Sequence, residues 1–307
     1  MLRTAWAMIR DTVYEFIDDY ALSRSAAIAY YTLFSLAPIL VIAVAIAGFV
    51  FGQDAAQGAL VVQLRGLMGQ QGADLVQSMV KGASNQHAGV VATLIGVVTL
   101  IVTSTGVFSE LQTDLNAIWK AQAPTTVTES VTAILKVRAL GLGLVATVGF
   151  LLIVALLVSA VLSALATYAS HVFAGAGTLV LIANFVVSYA LIAAMFAAIY
   201  KVLPDKPLGW HEAVVGAVVT ALLFTIGKAL IGLYIGTSAI ASSYGAAGTA
   251  IVVLLWIYYS AVIFLLGAEF TKVYARYRGN PEAPPPSPST PQPAPAAAEA
   301  IPGRSER

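Results

Sequence analysis

The sequence predicts an all-α membrane protein: a polytopic helix bundle with six transmembrane helices, an amphipathic amino-terminal helix and a helical periplasmic connection. Three observations carry that expectation. Hydrophobic residues make up 59% of the 307 and charged residues only 10%, whereas a soluble globular domain carries roughly a quarter charged residues. Six apolar runs, near residues 32–51, 89–109, 139–163, 178–200, 213–235 and 248–268, reach the length of about 20 residues that crosses a bilayer. The alternating pattern of a membrane barrel is absent, and with no water in the hydrocarbon to satisfy backbone groups, such runs form helices.

The elements follow in chain order. The opening segment, "MLRTAWAMIRDTVYEFIDDY", mixes acids and bases and lacks the apolar block of a cleavable signal peptide. In it Trp6, Ile9, Val13, Phe16, Ile17 and Tyr20 recur at three- and four-residue steps, with Arg10, Asp11, Glu15, Asp18 and Asp19 largely on the other side. Two placements fit: an amphipathic helix along the inner membrane surface, or a short cytoplasmic helix packed on the bundle. Pro38 predicts a kink in the first span. The connection after it carries two stripes, Leu60, Leu64, Leu67 and Leu75, Val76, Met79, interrupted at "GQQG". It reads as a helical pair capping the outer face, either as packing or as a lid. "GFVFG" (Gly48 to Gly52) and "GLYIG" (Gly232 to Gly236) fit a close crossing of the first and fifth spans.

Beyond the second span, "TSTGVFSELQTDLNAIWKAQAP" continues as a helix of about three turns, with Trp119 as an interfacial anchor and Pro124 marking its end. After Arg278 the chain turns Pro- and Ala-rich with almost no large apolar side chain. The membrane domain is therefore placed at 1–278, and 279–307 reads as a disordered cytoplasmic tail.

The bases give the orientation. Arg3, Arg10 and Arg24, then Lys120, Lys136 and Arg138, then Lys201 and Lys206, then Lys272, Arg276 and Arg278 all fall on one side. The opposite connections hold only Arg65 and Lys81. The positive-inside rule puts both termini in the cytoplasm.

Polar groups in the spans are the candidate functional residues, because a charge in hydrocarbon costs several kcal/mol. Lys228 in the fifth span and Asn184 in the fourth sit at nearly equal depth below the outer surface and could meet. Snorkelling of Lys228 to the headgroups is the structural alternative. At the inner boundary, Thr105, Ser109, Gln112 and Asn116 form a polar row beside the acidic row Glu110 and Asp114. That row reads either as a helix extension into the cytoplasm or as the mouth of a cavity, with Glu110 and Glu269 facing each other. Glu269 is within reach of Lys272 for a helical ion pair, as an interfacial anchor or as a buried proton carrier.

Several functions lose their chemical basis. There is no cysteine, and the histidines, His87, His171 and His211, are far apart, so no metal-ligand pattern arises. No catalytic residue, cofactor site or metal site is expected, and the chain is not read as an enzyme. "TIGKAL" around Lys228 lacks the residues of a phosphate-binding loop. A net charge of +1 argues against nucleic acid as a partner.

Four blocks resemble one family: "SRSAAIAYYTLFSLAPIL" (Ser23 to Leu40), "GVFSELQTDLNAIW" (Gly106 to Trp119), "YKVLPDKPLGWHEAVVGAVVTALLF" (Tyr200 to Phe224) and "SSYGAAGTAIVVLLWIYYSAVIFLLGAEFTKVYA" (Ser242 to Ala275). They look like the YihY/BrkB family of bacterial inner-membrane proteins. The resemblance implies a multi-pass protein of the inner membrane in a Gram-negative setting. The ribonuclease BN label attached to some members finds no support in these residues. The association of others with lipopolysaccharide precursors implies a transporter or translocation factor for a lipid or other amphipathic molecule, with membrane lipids as its surroundings. The matching polar positions are Ser35, Pro38, Glu110, Asp114, Asn116, Pro204, Tyr244, Gly245 and Glu269. The alternative function is a non-transporting scaffold whose amino-terminal helix and tail recruit partner proteins.

Overall fold

The computed structural model describes residues 2–83, 106–121, 176–206, 208–237, 240–280 and 283–287, together with isolated positions between 139 and 158. Among these residues there are helices and no strand: α1 (Leu2–Asp18), α2 (Ala21–Phe51), α3 (Gln53–Ala83), α4 (residues 106–118), α5 (Ala176–Val202), α6 (Trp210–Thr237) and α7 (Ile240–Tyr277). Three segments of α5, α6 and α7, Ile182–Val202, Trp210–Leu233 and Ala250–Tyr277, are long and apolar enough to cross a membrane. They contain most of the fourth, fifth and sixth predicted spans. The first predicted span lies within α2, and most of the second and third fall outside the described residues.

The helices end where the backbone dictates. Gly52, at φ 86, separates α2 from α3, and Tyr20, at φ 53, separates α1 from α2. α7 closes on a left-handed Gly279, whose N–H bonds back to Arg276 while that of Asn280 reaches Ala275. Lys120, at φ 50, closes α4 in the same manner, with Ala121 bonding to Asn116. α4 thus ends before Pro124, and Trp119 is buried among core side chains. The expected interfacial anchor is instead a packing residue.

α7 is the central element, touching α1, α2, α3 and α6. Its contact with α6 is interlocked. The Thr220 hydroxyl bonds to the Gly216 carbonyl on its own helix and lies in the notch left by Gly267 across the interface. The Thr271 hydroxyl bonds to Gly267 and lies in the notch of Gly216. Further along, Gly227 makes room for Tyr259 and Ile263. Tyr200 of α5 ties the pair together, donating to the Phe264 carbonyl at 2.7 Å and lying 3.1 Å from Thr220. The other side of α6 presents Val214, Val218, Leu222, Ile226 and Leu230 outward at four-residue steps, the pattern of a lipid-facing stripe.

Several expectations change here. The small-xxx-small pairs do not bring the first and fifth spans close at Gly52 and Gly232, since nothing lies within 4 Å of where a Cβ on either would stand. α3 is one helix through "GQQG", where Gln70 bonds to Asp74 a turn later, so the predicted helical pair is not formed. α3 buries Leu60, Leu64, Ala73, Val76 and Val80 in a core shared with Leu40, Val44, Val253 and Ile257, which is packing. Finally, residues 283–287, expected to be disordered, dock against α1 and α7, with Pro284 buried.

Candidate functional site: a charge cluster at one end of the bundle

α1 is amphipathic as predicted, but its polar face is the buried one. Asp11, Thr12, Glu15 and Asp19 are buried, while Trp6, Ile9, Val13, Ile17 and Tyr20 are exposed. The buried acids recur at four-residue steps, so they share one face. That face lies on the carboxy-terminal end of α7. Both termini of the described bundle are therefore at the same end.

Lys272 of α7 is the centre. Its ammonium lies 2.9 Å from Glu15, 2.7 Å from Asp19 and 2.6 Å from Glu269. Lys272 and Glu269 are each 0% exposed. Around this core Lys120, in the turn that closes α4, pairs with Asp19 at 2.5 Å, and Arg276 pairs with Glu15 at 3.0 Å. Arg24 donates to the Asp19 carbonyl and pairs with Asp114 at 2.8 Å. Lys272, Lys120 and Arg276 thus face the carboxyl groups of Glu15, Asp19 and Glu269, and Arg24 pairs with Asp114 beside them. The carboxylates of Glu15, Asp19 and Glu269 are close enough to hold a metal, but the Lys272 ammonium already sits against all three. The chemistry of the cluster is that of a lock between α1, α4 and α7.

The tail joins this lock. The Ser287 N–H donates to Glu15 at 2.9 Å, its hydroxyl donates to Asp18, and Arg276 donates to the Pro284 carbonyl at 3.0 Å. On the far side of α4, Asn116 donates to the Asp205 carboxylate at 2.6 Å and accepts from the Asp205 N–H at 2.8 Å. Gln112 adds a longer bond to the same carboxylate. The polar row of α4 clamps the α5–α6 loop.

Burial opposes the ionisation of Glu15, but the hydrogen bond and charge of Lys272, the Ser287 amide and Arg276 together hold it below its ordinary value. Burial likewise opposes ionisation of Asp19, and Lys120 and Lys272 overcome it. Asp114 moves the other way, because burial outweighs Arg24. For Glu110, burial and the neighbouring Asp114 both raise the value. Depressed carboxylates contribute stability above their unfolded values, 4.5 for Glu15 and 3.8 for Asp19, and that stability is lost as pH falls through the folded ones. For Glu110 and Asp114 the sign is opposite, since protonation relieves the burial of their charge. Acidification below about pH 4 is expected to loosen α1 first. Amide exchange in α1, corrected for its intrinsic pH dependence, checks this; undiminished protection in acid would show that these pairs do not hold the helix.

The sequence-predicted residues are only partly brought together. Glu269 pairs with Lys272 as expected, but it faces Glu15 and Asp19 and is sealed from water, neither an interfacial anchor nor a partner of Glu110. Glu110 stays half-exposed beside Asp114. Lys228 is half-buried on α6, and Asn184 is exposed on α5 with no hydrogen bond between them. In the sequence Glu15 and Asp19 read only as a polar helix face, and Arg24 and Arg276 only as orienting bases, not as members of a site. The spacing of the α1 acids was the available signal.

Every member of this cluster falls within residues 12–292, the stretch that matches the family described as Virulence factor BrkB. The chain belongs to the BrkB family. It is 28% identical over 280 residues to a UPF0761 membrane protein of Rhodospirillum centenum, covering 90% of this chain and 59% of that one. A UPF0761 membrane protein of Alcanivorax borkumensis is 29% identical over 272 residues, covering 85% and 58%. A third, from Methylibium petroleiphilum, is 30% identical over 260 residues, covering 82% and 58%. This BrkB-family chain thus spans just under three fifths of the length of these relatives. No solved structure matches it.

Proposed function

We propose that this BrkB-family membrane protein moves, or helps to move, a lipid or other amphipathic molecule across the bacterial inner membrane, with both termini cytoplasmic. One observation supports the reading above the others. Lys228 lies on a membrane-crossing helix, half-buried and with no hydrogen bond or ion pair among the described residues. A cation in hydrocarbon calls for a counter-charge, and the anionic headgroup of an amphiphile supplies one. Asn184 on the neighbouring helix is a second polar contact for such a headgroup, and Glu110 marks the inner end. Glu269, Asp114 and Asn116, bound up in the lock and the loop clamp, act as its frame.

The test is transbilayer movement of a labelled anionic phospholipid in liposomes carrying the purified protein. Lys228→Ala is expected to slow movement by about tenfold or more, the scale of one lost hydrogen bond to a charge, about 1.5–3 kcal/mol. Unchanged movement in Lys228→Ala would sink the pathway as drawn.

The docked tail favours a second reading, a scaffold without transport. Residues 283–287 fix the exit point of the remaining tail on α1, a defined platform for a partner. A stoichiometric partner lost on deleting residues 288–307, with no change in lipid movement, would decide for it.

A further inference from the structure

The protein uses up the polar face of α1, and the opposite face is left bare. At about 100° per residue, Ile9, Val13, Trp6 and Ile17 of α1 fall within an arc of roughly 80°. All four are exposed, Trp6 at 69% and Ile17 at 61%. Arg3 and Arg10 follow at one edge of the same arc, Arg3 exposed and Arg10 reaching back to Asp11 at 2.9 Å.

We propose that this face of α1 is a lipid-docking surface, seated at the boundary of headgroups and acyl chains in the bilayer leaflet at the charged end of the bundle. Three features commit it to lipid. The first is continuity with the surface of the spans. Trp210 at the start of α6 and Tyr277 at the end of α7 are both exposed at this end, and Tyr30 and Phe34, in ring contact at 5.0 Å, extend the exposed aromatic surface along α2. Exposed Trp and Tyr at the ends of spans mark the membrane–water interface. Lys201 lies over the Trp210 ring at 5.6 Å, a cation at the same level.

The second feature is orientation. Ion pairs from Lys272, Lys120 and Arg276 to Glu15 and Asp19, with the Tyr277 hydroxyl donating to Asp11 at 2.8 Å, stop α1 from rolling its apolar side chains inward. The third is the basic edge. With the apolar arc about 5–10 Å into the boundary, Arg3 stands at the depth of lipid phosphates, beside Arg10, whose guanidinium pairs with Asp11 at 2.9 Å. The surface is independent of the translocation reading and would serve a scaffold equally.

The chain contains no cysteine, so Ile9→Cys, Val13→Cys and Ile17→Cys each give one labelling site in the full-length protein. Each is spin-labelled and reconstituted into vesicles of phosphatidylethanolamine and phosphatidylglycerol. Trp6→Cys, on the same arc, replaces any variant that is not monodisperse. The expected result is greater collision with oxygen than with a water-soluble nickel chelate at every site. Greater access for the nickel chelate would overturn the proposal by placing the face in water. Spin–spin broadening that disappears on dilution with unlabelled protein would overturn it too, by placing a second copy on the face.

Discussion

Lys272→Met is expected to leave little folded protein. The substitution keeps the length and most of the volume of the side chain, so its effect is electrostatic. It removes the one cation that touches Glu15, Asp19 and Glu269 together, leaving two cations to face three carboxyl groups. Breaking a buried pair by removing one partner costs about 3–5 kcal/mol, against a total stability of about 5–15 kcal/mol for a typical domain. Adding Glu269→Gln replaces a buried acid that has lost its cation with a neutral amide of the same shape and is expected to recover part of the loss, so the two changes should be strongly non-additive. The thermal midpoint and yield of monodisperse protein in detergent read both effects. A single variant as stable as the parent would mean that the cluster is not a lock.

Gly216→Val is expected to be comparably damaging, for a steric reason. The new Cβ would fall on the Thr271 hydroxyl and stand 2.9 Å from the Thr271 Cβ and 3.1 Å from its Cγ2. Thr271 is buried and hydrogen-bonded to Gly267, so it has nowhere to turn. Overpacking a tight interior costs about 1–3 kcal/mol and more where nothing can yield. Combining the milder Gly216→Ala with Thr271→Ala should recover part of the loss, because the second change removes the hydroxyl and Cγ2 and leaves only a Cβ at 2.9 Å for the first one to displace. Gly232→Val is the control, since its surroundings are open. Equal midpoints for Gly216→Val and Gly232→Val would contradict the interlock.

The helical class and the positions of the fourth to sixth spans were legible in the sequence because bilayer thickness imposes a length and a composition on each helix. The amphipathic period of α1 was legible for a similar reason. Which side of α1 faces the protein was not, because periodicity gives the angle between two faces and not the identity of the neighbour. In a lipid-facing protein the usual inference from apolar to inside reverses at the membrane surface. Glu269 shows the limit most clearly. Counting residues from Gly248 placed it at the edge of the hydrocarbon, and that position could not reveal that α1 returns to cover it. The notches at Gly216 and Gly267 escaped notice because they pair across two helices, while small-xxx-small patterns are read along one.

The interlock of α6 with α7 also limits how the bundle can move. Thr220 and Thr271 each sit in a notch of the facing helix, some four residues apart and pointing in opposite directions, like two pegs set from either side. Such a joint resists sliding along the helix axes as well as rotation about them, since either motion drives a hydroxyl into backbone. The two helices must therefore travel as one body. Under the proposed translocation, a crossing molecule would not part α6 from α7; the gate would open along another seam, with the α6–α7 pair as the fixed jamb.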